Sequence, residues 1–212
     1  YNTEIIYSPL NDLKNFIFEK YFSYNECAKG LDGVDINVQH GGGRMIKLKN
    51  GDVAFTIGDY GIKNQAQNIK SMFGKIISID KNDPKKFNII AMGSRNAQGL
   101  VELKSQNSII HSEHGPIGGD EINVSLLDNK IENFGWPKVS YGKMGDGSPV
   151  KSSHEKFGFK EPLKYYTPAI GISEIKYLKT INKNPLILVS SMGWADEEYQ
   201  GDRSLQILEI NP

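Results

Sequence analysis

"GRMIKLKNGDVAFTIGD", residues 43–59, decides the fold. Ile46 and Leu48 alternate with Lys47 and Lys49, and Val53, Phe55 and Ile57 then resume the same period of two. That period marks strands with one buried and one wetter face. Between the two runs stands Asn50-Gly51, a dipeptide that tolerates the positive φ angles of a tight hairpin turn. The stretch therefore predicts an antiparallel hairpin ending in a small polar knot, Ile57-Gly58-Asp59.

The same grammar occurs twice more. GLVELKSQNSIIHSEHG, residues 99–115, ends in Glu113-His114-Gly115, and SEIKYLKTINKNPLILVSSMG, residues 173–193, ends in Ser191-Met192-Gly193. Shorter strands are predicted at Glu4–Tyr7, Asn15–Tyr21, Lys75–Asp80 and Phe87–Met92, with a last strand at Ser204–Ile210. Only Ala66–Met72 has the pattern of a short helix. Repeat units about 55–75 residues apart exceed the roughly 40–50 of one propeller blade, so inserted loops are expected. Recurrent antiparallel hairpins of this kind favour an all-β, β-propeller fold over a sandwich. Radial placement would gather the three polar knots on one face, around the channel.

Bulk composition narrows the function classes. Lys+Arg and Asp+Glu balance at 25 each, which removes the basic footprint of a nucleic-acid binder. No apolar run approaches the roughly 18–20 residues of a membrane-spanning helix. Cys27 is the single cysteine, so no internal disulfide is possible. The chain opens on Tyr1, as expected of a processed product or a piece of a longer chain.

Several stretches carry chemistry. In QHGGGR, residues 39–44, His40 is a candidate general base beside glycines that let backbone approach a ligand; a packed turn histidine is the plain alternative. GSRNAQGL, residues 93–100, offers the Arg95 fork and the Asn96 amide, or else a surface turn. EHGPIGGDE, residues 113–121, has carbonyls at Gly115 and Pro116 and a carboxylate at Glu121, the oxygen donors calcium prefers. A zinc site from His111, His114 and Asp120 is disfavoured by missing thiolates and strand alternation. Trp136 and the Tyr165-Tyr166 pair are expected to pack, His154-Glu155 to lie in a solvated loop, and Trp194–Arg203 to form an acidic insert.

Taken in order, HGGGR, TIGD, AQN…GKIISID, GSRNAQGL, EHGPIGGDEIN, GWP…YG and YYTPAIGIS resemble the glucose/sorbosone dehydrogenase family of soluble aldose dehydrogenases that use pyrroloquinoline quinone (PQQ). The resemblance implies a six-bladed propeller, of which 1–212 would form a single incomplete domain of roughly four blades. It implies that His40 takes the proton of a sugar C1 hydroxyl while hydride passes to the quinone, yielding a lactone. It further implies that Arg95 and Asn96 contact PQQ, and that the Gly115 and Pro116 carbonyls hold its calcium. Glu121 and the Phe134 carbonyl match a second, structural calcium. An external electron acceptor and a periplasmic or secreted location follow from the family. Gln39 stands where the glucose-oxidising branch often has aspartate, and the family's last-blade arginines have no counterpart here. The competing reading is a calcium-stabilised binding module that has lost PQQ.

Overall fold

The computed structural model describes residues 3–10, 14–28, 35–148, 150–193 and 203–210. Strand follows strand along the chain. A first hairpin pairs β1 (Glu4–Tyr7) with β2 (Glu19–Ser23). Four antiparallel strands then form a blade: β3 (Gly42–Lys47), β4 (Val53–Ile57), β5 (Lys75–Ile79) and β6 (Phe87–Met92). A second blade begins with β7 (Ala97–Leu103), β8 (Ser108–Glu113) and β9 (Asp120–Leu126). The chain next crosses back, adds β10 (Glu132–Asn133) in parallel outside β6, and returns with β11 (Lys164–Tyr166) to close the second blade. A third sheet holds β12 (Ile172–Ile181), β13 (Asn184–Ser191) and β14 (Leu205–Glu209).

This is a partial β-propeller. All three predicted hairpins form, and each supplies the first two strands of its sheet, with β3 against β7 and β7 against β12. The sheets do not close into a ring. The expected strand at Asn15–Tyr21 begins later, at Glu19, where pairing with β1 sets the register. Except for Arg203, the expected acidic insert lies outside the described residues.

Stacking buries both faces of a blade, which is why KIISI in β5 is apolar almost throughout. Ile57 and Ile77 pack toward Ile5 and Phe22 of the first hairpin. Ile76, Leu100, Ile109 and Phe134 fill the space between the first two blades, and Ile110, Ile122, Ile175 and Val189 fill the next. Adjacent Ile109 and Ile110 thus serve opposite interfaces, as alternation along a strand requires.

The short helix expected over Ala66–Met72 is absent. A 3-10 turn spans Lys63–Gln67 instead. The reason is Lys75, fully buried at the start of β5, whose Nζ donates to the carbonyls of Gln65 (2.9 Å), Ala66 (2.9 Å) and Phe73 (2.8 Å). Held there, the Gln65 carbonyl closes onto Asn68 N at 3.0 Å, a 3-10 rather than an α-helical bond. Burial pushes the Lys75 pKa down to about 8.

One buried stripe between the first two blades is polar. His111 pairs across β8 and β9 with Asn123, and both ring nitrogens and the Asn123 Oδ1 lack a protein partner. His111 meets the Phe134 ring edge-on at 5.0 Å. Burial pushes its pKa down to about 3, whereas the unfolded ring titrates near 6.5. Between those values the unfolded chain binds the extra proton, so stability falls as pH drops. The group should cost about 2 kcal/mol between pH 6.5 and 5. His111→Phe is expected to remove that slope in denaturant unfolding at the two pH values; an unchanged slope would disprove the assignment.

Candidate functional site

The site is built at the ends of the inner hairpins. Val38–His40 form one 3-10 turn, with the Asn37 side chain accepting from Gln39 N as its cap. The turn sits directly on Gly58, where any Cβ would run into the His40 carbonyl. That close approach makes glycine obligatory after β4 and brings His40 onto Asp59.

His40 Nδ1 lies 2.9 Å from Asp59 Oδ1. Asp59 is fully buried, and its carboxylate also accepts from Gly61 N (2.7 Å) and from Trp136 Nε1 (2.7 Å). A carboxylate receiving that many donors stays an acceptor, so the network assigns the proton of His40 to Nδ1. Nε2 is left with its lone pair. Two donors face it, Arg95 Nη2 at 2.7 Å and Asn37 Nδ2 at 3.2 Å. The arrangement is a basic nitrogen oriented from behind by a buried carboxylate, the geometry of a general base.

Arg95 comes from the turn between β6 and β7. Its Nη1 donates to the carbonyls of His114 and Gly115, each at 2.8 Å, while its guanidinium lies 5.8 Å from the Trp136 ring centroid. Burial lowers the Arg95 pKa, opposed by the carboxylates of Asp59, Glu113 and Asp120. Trp136 reaches this position because the strap through β10 ties Asn133 and the Trp136 carbonyl to Gln67 Nε2 at 3.0 and 2.8 Å.

Asn96 is nearly fully buried, and its amide is engaged. Oδ1 accepts from Gly42 N (3.1 Å) and Gln98 Nε2 (3.0 Å), and Nδ2 donates to the Gln39 carbonyl (3.1 Å). In this structure Asn96 braces the turn that carries His40.

Gly115, Pro116, Glu121 and Phe134 all line one cavity of about 10 Å³, together with Arg95 and Glu113. That is room for one water-sized occupant. Its donors are oxygens: the Gly115 carbonyl already turns toward a cation, and the buried Glu113 Oε2 has no hydrogen-bond partner. Such a set fits a hard divalent cation. Burial pushes the Glu113 carboxyl up to about 8, with the facing Glu121 adding to the rise.

The histidines of the 111–124 stretch take no part in this cluster. His111 is the interblade residue above, and His114 Nδ1 lies 3.3 Å from the Ile172 carbonyl. No group of three His, Cys, Asp or Glu able to hold a metal occurs among the described residues, so the zinc alternative falls. Asp120 closes the turn instead, its Oδ1 accepting from Gly115 N (3.1 Å) and its Oδ2 from Ile170 N and Ile172 N at 3.0 and 2.8 Å.

His154 corrects the expectation of a solvated loop: it is 1% exposed, with Nε2 3.4 Å from Glu121 Oε1 and its ring against Tyr141. Glu121 of β9 and the Tyr141 ring cover it, which its Lys/Ser/Gly-rich neighbours do not reveal. Sequence reasoning also missed the roles of Asn37, Asp59 and Glu113. Asp59 had one signal, its place in a knot predicted to face the channel.

Residues 33–185 match the Glucose / Sorbosone dehydrogenase family. The chain belongs to this family. It is 26% identical over 152 residues to the aldose sugar dehydrogenase YliI of Escherichia coli, covering 65% of this chain and 40% of that protein. Its fold matches a crystal structure of glucose dehydrogenase with a TM-score of 0.71 at 21% identity, over 97% of this chain and 70% of the other. It also matches the PQQ-bound aldose sugar dehydrogenase of Streptomyces coelicolor, with a TM-score of 0.64 at 21% identity over 97% and 58%. The chain spans 38–40% of the length of the curated relatives it matches. No helix among the described residues is long and apolar enough to cross a membrane.

Proposed function

We propose that the chain carries the catalytic face of a PQQ- and calcium-dependent aldose dehydrogenase, oxidising a sugar C1 hydroxyl to a lactone. The carrying observation is the His40–Asp59 pair, in which a buried carboxylate at 2.9 Å leaves the Nε2 lone pair facing the Arg95 side of the site. Family membership and the fold shared with a PQQ-bound relative support this reading.

His40 Nε2 accepts the hydroxyl proton, and Asp59 stabilises the imidazolium that results. The sugar hydroxyl takes the place of the Arg95 Nη2 and Asn37 Nδ2 donors at that nitrogen. Bound PQQ supplies the hydride acceptor and calcium the Lewis acid that polarises it. Arg95 offers a planar, charged donor fork suited to quinone and carboxylate oxygens, and Asn96 holds the adjoining turn in place. The carbonyls of Gly115 and Pro116 would hold the cofactor's calcium; Glu121 and the Phe134 carbonyl, expected to hold a second ion, line the same cavity, which has room for one occupant. Electrons leave to an external acceptor, and the protein works in the periplasm or outside the cell.

Reconstitution tests the reading. Full-length protein loaded with PQQ and calcium should bind the quinone at near-stoichiometric ratio and oxidise aldoses with a dye acceptor. Failure to bind PQQ would overturn it; a calcium-dependent rise in melting temperature without PQQ binding would favour the non-catalytic module.

A further inference from the structure

The structure assigns to Glu113 the task of positioning the Arg95-Asn96 turn for the quinone, an inference that rests on the reading above. Glu113 ends β8 and is buried, yet it makes no bond to His40 or to any exposed group. Its Oε1 accepts from two consecutive backbone donors, Arg95 N at 2.6 Å and Asn96 N. A carboxylate oxygen shared by successive N–H groups fixes the direction in which both residues leave the turn. Arg95 leaves toward His40 and the Gly115 carbonyl, Asn96 toward the His40 turn.

The carbonyls of the turn have partners elsewhere, Arg95 O accepting from Asp59 N (2.8 Å) and Asn96 O from His114 N (3.0 Å). Gly93, at φ +74°, carries the sharp reversal out of β6, and Ser94 N bonds back to Gly74. On the site side, the Arg95 and Asn96 amides depend on Glu113. Without that acceptor, two buried N–H groups lose their partner, and relaxation of the turn moves the guanidinium off its carbonyls. An ångström of such displacement suffices to spoil a preorganised site.

The test compares Glu113→Gln, which keeps a side-chain oxygen for both N–H groups, with Glu113→Leu, which keeps the volume and removes the acceptor. PQQ dissociation constants are measured by titration in calcium-containing buffer, with melting temperatures of the cofactor-free proteins alongside. The expected result is PQQ affinity weakened at least tenfold more by Glu113→Leu than by Glu113→Gln, with the melting temperature of Glu113→Leu also lowered by its two orphaned N–H groups. Equal affinities in the two variants would overturn the assignment. If Glu113→Leu does not fold, Glu113→Asp, which withdraws the carboxylate by one methylene, takes its place. Amide exchange in the cofactor-free proteins separates this inference from the functional reading. If the wild type does not bind PQQ, the functional reading fails, and the Arg95 and Asn96 amides still decide the role of Glu113. Exchange at least tenfold faster in Glu113→Leu than in Glu113→Gln supports it, and equal rates refute it.

Discussion

His40→Gln is expected to lower the turnover of the PQQ- and calcium-loaded protein by about a thousandfold, the range that loss of a general base produces. Glutamine fills much of the imidazole's space but has no nitrogen able to take a proton near neutral pH. PQQ affinity should change little, because the assigned cofactor contacts lie on Arg95 and the 113–121 turn. Asp59→Asn makes a sharper companion. An amide can donate as well as accept, so it no longer dictates which ring nitrogen of His40 carries the proton, and a drop of about a hundredfold or more is expected. Steady-state kinetics with a dye acceptor and a separate PQQ titration check both. Retention of more than a tenth of wild-type turnover by His40→Gln would remove His40 from the role of base.

Asp120→Ala should destabilise the cofactor-free protein by about 3–5 kcal/mol, read from denaturant unfolding. Its carboxylate, fully buried, is the acceptor for Gly115 N on one side and for Ile170 N and Ile172 N on the other. Alanine orphans three donors at once, each worth about 1–3 kcal/mol when left unpaired, with partial relief as water or backbone moves in. Asp120→Asn keeps one oxygen acceptor and should cost roughly half as much. Because these bonds tie the 113–121 turn of the second blade to the entry of β12, the loss should also loosen the third blade. A loss below about 1 kcal/mol for the alanine variant would contradict this account.

Much of the architecture is legible in the chain because strand alternation is a local property. The run from Gly43 to Asp59 encodes its hairpin through apolar spacing and Asn50-Gly51, and the two later repeats do the same. Where a distant group intervenes, that legibility ends. Ala66–Met72 has helical spacing, yet the Lys75 ammonium takes the carbonyls of Gln65 and Ala66 at its start. His154 lies among loop-like residues and is nonetheless buried against Glu121. His111 and His114 drew attention as ligands, but one faces an interblade stripe and the other a backbone carbonyl.

By itself, the sequence determined the all-β hairpin repeat, the polar knots at the hairpin ends, and His40, Arg95 and the Gly115-Pro116 turn as the places to look. Only the tertiary structure decided that His40 is oriented by Asp59, that Trp136, on the strap that returns to the first blade as β10, holds that carboxylate, and that Glu113 clasps the turn bearing Arg95. The division has a physical cause. Periodicity and turn chemistry act between near neighbours along the chain, whereas protonation, burial and hydrogen-bond partners depend on groups that only blade stacking brings together.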